Sequence, residues 1–307
     1  MNQAPLIIHH EGYQPYLSFC LWQNRRTNPD RPIILLGDEV SRIRGIEYRH
    51  ELIADYQTKN RIFIEKYRHV TRSDYVKERR HLERWFVLST FLEQAEIKAF
   101  YFIDSDYLLF SNLTEHESAW SSCGLMGTPS FWGLSFHEST FHIHHFCDWL
   151  LGLYADTQRF EVLLKQQHEM NGHLQEMGFI NEYCAEQRVL IQKMDWRNSG
   201  KNNSFDDYIF GSSYFSDRDE FMKLRQEVPG GPVTLHHNGG HGTRRLLGLH
   251  FQGHSKRQIP GFTGWCRPVW NSFFRPNYRR NLKHLFQYVW EGRRCRRLLQ
   301  RPWSQES

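Results

Sequence analysis

Asp104 and Asp106 stand two apart in the segment AFYFIDSDYLLF, residues 99–110, directly after five apolar residues. Side chains two apart on an extended backbone point the same way, so the pair would project two carboxylates from the end of a buried strand. Two such groups are half of a divalent-cation site, and the carboxyl ends of strands in an open α/β sheet are where ligands bind. Without further partners, Asp-Ser-Asp reads as a polar turn. A second segment, LLGLHFQGHSK at residues 246–256, ends a strand at His250 and carries Gly253 and Lys256 shortly after it. The imidazole could supply a third ligand, Gly253 lets the backbone approach a ligand, and the Lys256 ammonium could contact phosphate oxygens that the ion bridges. On its own, a histidine at a strand end reads as a hydrogen-bonded structural residue.

These residues need strands to aim them. The first 120 residues alternate short apolar runs with amphipathic stretches, the pattern of βαβ units around a mainly parallel sheet. Leu6 to His9 and Ile33 to Leu36 read as buried strands, the second ending at Gly37-Asp38, with a helix over Tyr16 to Arg26 between them. A longer helix is expected to start with Ser73 as its N-cap and to place Leu82, Trp85, Ser89 and Leu92 on one face, feeding the strand Ala99 to Ile103. Farther on the pattern weakens. Helices are expected over Phe146 to Met170 and around Glu182 to Gln192, and a strand over Leu246 to Phe251. No internal repeat or low-complexity linker divides the chain.

With 307 residues, 39% of them hydrophobic and 24% charged, the chain has the composition of a soluble globular protein. That excludes disordered, collagen-like and coiled-coil classes. No apolar run approaches the roughly 18 residues of a membrane-spanning helix. The opening MNQAPLIIHHEGYQ has neither the basic nor the apolar region of a secretory signal, so a cytoplasmic location is expected. Six cysteines without a CxxC pair read as reduced thiols rather than as disulfides or a zinc site. The net charge of +5 is unevenly placed: nine lysines and arginines lie between Arg275 and Arg301 against Glu291 and Glu306, and the preceding residues are close to neutral. The body of the chain is therefore not a polycation built to coat nucleic acid, and no nucleic-acid partner is expected.

Together, Asp104-Ser105-Asp106 and His250-Phe-Gln-Gly253-His-Ser-Lys256 resemble the D-x-D and H-x-G-x-x-K motifs of nucleotide-sugar-dependent glycosyltransferases of the GT-A fold. ERWFVLSTF before the D-x-D strand, LLGD at 35–38 and HNGG at 237–240 also look like pieces of such enzymes, and the resemblance covers roughly residues 5 to 260. It implies an α/β fold, a single GT-A type domain over 1–260 with a mainly parallel central sheet; beyond it, composition alone marks a basic, Trp- and Arg-rich C-terminal helical extension over 261–307. It further implies a metal-dependent transferase moving a sugar from a nucleotide-sugar donor, a UDP-sugar above all, to a glycan or lipid-linked acceptor. By similarity to the retaining family that includes glycogenin and bacterial lipopolysaccharide galactosyltransferases, configuration would be retained.

The same resemblance distributes roles. Asp104, Asp106 and His250 would hold the cation, and Lys256 the diphosphate as it leaves. Two carboxylates and one imidazole together with phosphate oxygens suit Mn²⁺ and tolerate Mg²⁺. Ser105 and Gly253, inside the two motifs, would line the donor. His10, Gly12 and Tyr13 at the end of the first strand are further candidates for the donor site. Asp38 would contact base or ribose, or else cap a turn. Arg84 would reach a phosphate or pair with Asp104, or else be a surface arginine. An acidic residue facing the anomeric carbon is expected from Glu182 or Glu186, with Asp148 as an outside candidate.

Two features fall outside those motifs. His137, His142, His144 and His145 form a dense cluster, but no HExxH-like carboxylate pattern accompanies them and the intervening residues read as a loop. With Phe131, Trp132, Phe136 and Phe141 nearby, an acceptor-binding loop is the expectation there. The tail mixes its arginines with Leu282, Leu285, Phe286, Trp290, Leu298 and Trp303. It reads either as a helix on an anionic surface at the inner membrane face or as a terminal helix packed on the domain. A noncatalytic peripheral protein that binds membrane or nucleic acid through this tail is the competing reading; the paired motifs favour the enzyme.

Overall fold

The computed structural model describes residues 3–71, 74–117, 125–127, 133–169, 174–189, 192–193, 203–205, 224–236, 243–251, 253–263, 289–291, 293–294 and 296–297. The chain opens with β1 (Leu6–His10), α1 (Pro15–Thr27), β2 (Ile33–Gly37), β3 (Arg49–Leu52), α2 (Thr58–Lys66), α3 (Tyr75–Gln94) and β4 (Phe100–Asp104). β1 pairs in parallel with β2 on one side and β4 on the other, and β2 in parallel with β3. Leu6 and Ile8 enter one core with Leu17, Leu21 and Ile33, whereas Ile7 enters the other with Trp85, Phe86 and Phe102. An unbroken apolar run is therefore a period-two strand with both faces covered.

After β5 (Tyr107–Leu109) come β6 (Leu125–Gly127), β7 (Leu134–His137), α4 (Phe141–Ala155), α5 (Thr157–Glu169), α6 (Glu176–Glu186) and β8 (Gln192–Lys193). They extend the first sheet to seven strands in the order β3-β2-β1-β4-β7-β6-β8, with β7 antiparallel to β4 and β6. The remaining strands are β9 (Asn203–Phe205), β10 (Leu224–Arg225), β11 (Val233–His236) and β12 (Thr243–His250), followed by a 3₁₀ turn (Gly253–Gln258) and α7 (Ile259–Thr263). They build a second sheet, β10-β11-β12-β5, with β9 beside β12. The strand that immediately follows the D-x-D turn thus belongs to a different sheet from the strand that precedes it.

Buried polar side chains on α1 and at its C-cap, Asn28, hold that seam. Gln23 donates to the Leu109 carbonyl at 2.8 Å, Asn24 accepts from the Leu109 N–H at 3.0 Å, and Asn28 accepts from the Leu113 N–H at 2.8 Å. Backbone groups at the end of β5 that find no ladder partner are satisfied in this way, as burial requires.

Several expectations are corrected. The N-cap of α3 is Asp74, whose carboxylate accepts from the Lys77 N–H at 2.9 Å; it is not Ser73. The helix expected over 146–170 is two helices, because Asp156 ends α4 and accepts from the Arg159 N–H, starting a second turn. α6 lies six residues earlier than expected, with Gln187 as its C-cap. The histidines are not on a loop: His137 ends β7 and the other three are in α4. Phe136 is a strand residue packed 4.7 Å from the Tyr101 ring rather than part of an acceptor loop, and Phe131 and Trp132 lie outside the described residues. HNGG at 237–240 does so as well, as does most of the basic extension. In its described part Arg296 donates to Gln226 and to the Glu227 carbonyl, and Arg257 lies 3.5 Å from Glu291. Residue 260 falls within α7, where Ile259 and Phe262 are both buried. No helix among the described residues is long and apolar enough to cross a membrane.

Candidate active site

The order β3-β2-β1-β4 reverses direction between β1 and β4, and crevices at such switch points, outside the carboxyl ends of the strands, are where open α/β sheets bind ligands. His9 is registered opposite Asp104. A cleft of about 650 Å³ opens there, lined by both motifs, the end of β1, one face of α3 and the start of α6.

Register explains how residues far apart in sequence meet. β5 pairs antiparallel with β12 so that His250 lies opposite Tyr107, and the Phe251 N–H donates to the Asp106 carbonyl at 2.9 Å. His250 Nε2 is 3.0 Å from Asp106 Oδ1 and 3.4 Å from Asp104 Oδ2. Gly133 makes room for the ring: a Cβ there would come within 2.6 Å of His250 Nδ1, while its carbonyl accepts from the Asp104 N–H at 2.9 Å. Gly248 does the same for Tyr107, whose ring a Cβ would meet at 2.5 Å.

One ligand atom from each of Asp104, Asp106 and His250 lies within 4.8 Å of the others. Two carboxylates and an imidazole, with one carboxylate partly open to the cleft, fit a divalent ion with preference for oxygen and nitrogen donors. Both carboxylates also face cations. Lys256 Nζ is 2.7 Å from Asp106 Oδ2, and Arg84 Nη1 is 2.8 Å from Asp104 Oδ1. Burial alone would raise the Asp106 carboxyl, but Lys256 and His250 hold it well below the usual carboxylate range. Burial would likewise lower His250, yet Asp106 moves it above its ordinary value.

Arg84 is therefore the Asp104 partner. Its Nε donates to Glu176 Oε1 at 2.6 Å, and its guanidinium lies 5.1 Å from the Trp85 ring centroid and 5.5 Å from that of Phe102. Trp85 Nε1 donates to the same Glu176 oxygen at 2.6 Å, and the Glu176 N–H donates to the buried Glu78 carboxylate. Burial raises Glu176 to about 7 despite Arg84. Glu176 lines the cleft, and the sequence reading missed it. Its only signal is a place in the first turn of α6, where spacing gives no hint of a partner at Arg84.

The other expected residues divide. His10 lines the cleft, its Nδ1 paired with Ser105 Oγ at 2.8 Å, so Ser105 faces His10 from within the D-x-D turn. Its Nε2 is buried with no hydrogen-bond partner among the described residues. Burial, then Lys256, lowers it to about 4, so it stays neutral. Gly253 begins the 3₁₀ turn that carries Lys256. Gly12, at φ +77°, donates its N–H to Asp38 Oδ2, and Asp38 Oδ1 accepts from the Ser41 N–H; Asp38 is a turn cap. Gly12, Tyr13 and Asp38 are not among the residues that line the cleft. Glu182 and Glu186 are not in the cleft lining either. Glu186 ends α6 and accepts from Trp149 Nε1 and Arg159, roughly 15 Å along the helix from Glu176. Asp148 is exposed on α4.

No family model matches the chain, and no curated protein does. Solved structures with a similar backbone course include mouse xyloside xylosyltransferase 1 in its apo form (TM-score 0.46, 12% identity, 69% of this chain and 91% of that one). Others are the galactosyltransferase LgtC with donor and acceptor sugar analogues (0.39, 11%, 93% and 95%) and the glycosyltransferase GlyE of Streptococcus pneumoniae (0.41, 11%, 96% and 64%). At scores of this size the likeness says nothing about the reaction, which has to be read from the site itself.

Proposed function

We propose that the chain is a metal-dependent glycosyltransferase of the GT-A type, using a nucleotide-sugar donor and a glycan or lipid-linked acceptor. The observation that carries this reading is the convergence of Asp104, Asp106 and His250 within 4.8 Å, with Lys256 beside them, in a cleft at the switch point of a parallel sheet. Breaking a sugar–diphosphate bond builds positive charge on the anomeric carbon and negative charge on the departing phosphate, so catalysis needs fixed positive charge at the leaving group. A bound Mn²⁺ or Mg²⁺ supplies part of that charge. Of the chain's own residues, Asp104, Asp106 and His250 would hold the ion and Lys256 would contact the diphosphate oxygens. Arg84, fixed by Glu176 and stacked on Trp85, aims Asp104. His10 and Ser105 offer hydrogen-bonding groups to the donor, as does the backbone at Gly253.

Thermal melting with a panel of nucleotide-sugars, with and without Mn²⁺, tests the reading. One donor should raise the melting temperature only with the metal, because a ligand that binds the folded state alone stabilises it. Absence of any metal-dependent shift would overturn it. Retention of configuration, read by NMR of the freshly formed product, belongs to the same proposal through the H-x-G-x-x-K resemblance. So does docking of the basic tail on an anionic surface at the inner membrane face, tested by liposome cosedimentation against a chain ending at Phe274.

A further inference from the structure

The two acidic groups of the cation site are already matched by two basic ones, and the two matches differ in kind. Arg84 is held three ways: by Asp104, by Glu176 and by the faces of Trp85 and Phe102. It is a fixed part of the wall. Among the described residues Lys256 has one carboxylate partner in ion-pair contact, Asp106 at 2.7 Å, and lies 4.8 Å from the Tyr16 ring centroid, with its side chain 28% exposed. An ammonium that close neutralises a carboxylate a metal would use and sets a positive charge beside the ion's position, where like charges repel.

We infer that Lys256 is an internal counter-ion of the cation site. In the ligand-free cleft it neutralises Asp106 and keeps a lone divalent ion out. When the ion arrives with a diphosphate, the ammonium exchanges Asp106 for the phosphate oxygens, and Asp106 is released to the metal. Metal and diphosphate therefore enter as a unit, and the site does not load with free metal. The metal and the identity of the anion rest on the proposed function; the docked position of the ammonium rests on Lys256, Asp106 and Tyr16 themselves. The Tyr16 ring keeps the ammonium near the cleft through the exchange, since a cation stays attracted to an aromatic face after its ion pair opens.

Titration of nucleotide-free protein with Mn²⁺ alone, followed by electron paramagnetic resonance of the free ion, tests this without any turnover. Lys256→Met should bind Mn²⁺ about tenfold or more tightly than the wild type, because the fraction of sites open to metal is no longer limited by the docked ammonium. Lys256→Arg, which keeps the charge, should bind like the wild type. Adding UDP should tighten Mn²⁺ binding far more in the wild type than in Lys256→Met. Lys256→Gln provides the same comparison should the methionine variant fail to fold, with circular dichroism as the control. Equal or weaker binding of Mn²⁺ alone by the uncharged variants would overturn the counter-ion role while leaving the metal site standing. Failure of the wild type to bind Mn²⁺ even with UDP would overturn the metal reading itself, and the exchange with it.

Discussion

At the carboxyl end of β4, four groups separated by up to 152 residues of sequence turn toward one point: Asp104, Asp106, His250 and Lys256. Elsewhere in the molecule, His137, His142, His144 and His145 lie within nine residues of one another, and three of them are taken up by separate local partners. His137 stacks on Phe100 at 4.6 Å and pairs with Ser135; His144 pairs with Ser89 and His145 with Tyr183. The sparse set converges because strand register superimposes it, while the dense set is dispersed by helical geometry and local pairing. Density in sequence is thus a poor guide to a site here, and placement at strand ends is a good one.

The strongest way to break this contrast is to substitute within the convergent set. Asp106→Asn should lower metal-dependent donor turnover by about 100- to 1000-fold, as expected on losing a group that places charge at the leaving group. His142→Ala should leave it unchanged. Steady-state kinetics across a Mn²⁺ titration checks both, and comparable losses in the two variants would erase the distinction.

A smaller effect is expected one contact away. Glu176→Gln removes the charge that fixes Arg84, and loss of such an outer partner costs about 10- to 100-fold in metal affinity or activity. Glu186→Gln, at the far end of α6, should change neither. Titration with Mn²⁺ in the presence of UDP reads the affinity. Gly133→Ala then sharpens the role of the ring behind the ligands. Its Cβ would displace His250, so metal affinity should fall several-fold while overpacking costs about 1–3 kcal/mol of stability by denaturant unfolding.

The smallest effect belongs to the dispersed set and appears only in stability. Burial, with His142 beside it, lowers His137 from its ordinary 6.5 to about 3. As pH falls below about 6.5 the unfolded chain takes up a proton at His137 that the folded chain refuses. Stability is therefore highest above that value and declines toward pH 3, by up to about 1.4 kcal/mol per pH unit for this residue. Replacing His137 with Gln should flatten the decline by about one proton in urea unfolding at stepped pH; an unchanged slope would assign the acid sensitivity to other groups.

The parallel half of the fold was legible because its strands are uninterrupted apolar runs and its helices amphipathic. Leu6–His10, Ile33–Gly37 and Phe100–Asp104 fall within a residue of expectation. β3, with the sequence RHEL, was not legible, since an edge strand with no fully buried side chain carries no apolar signal. β5 was hidden for the opposite reason: its apolar residues continue those of β4, and only the turn at Ser105-Asp106 moves them to another sheet. In the site, Asp104, Asp106, His250 and Lys256 were readable from motif spacing, and His10 from its strand end. Glu176 was not, because its partner Arg84 lies 92 residues away on another helix. Glu182 and Glu186 are lone glutamates on a helix, and nothing in the sequence tells which end of that helix meets the cleft.

The pairing of β5 with β12 also sets when the site can come into being. Its ligands are joined by a contact spanning 144 residues, and such long closures form late because chain entropy must be surrendered before they are rewarded. A chain emerging from the ribosome can complete the β1–β4 sheet with Asp104 in place long before Thr243–His250 has been made. Until then the outer edge of β5 has no partner from β12 and offers open backbone groups to any other strand. The cleft thus cannot be completed until β12 has been made, and a fragment cut short before residue 243 would carry an aggregation-prone edge where the finished protein carries its ligands.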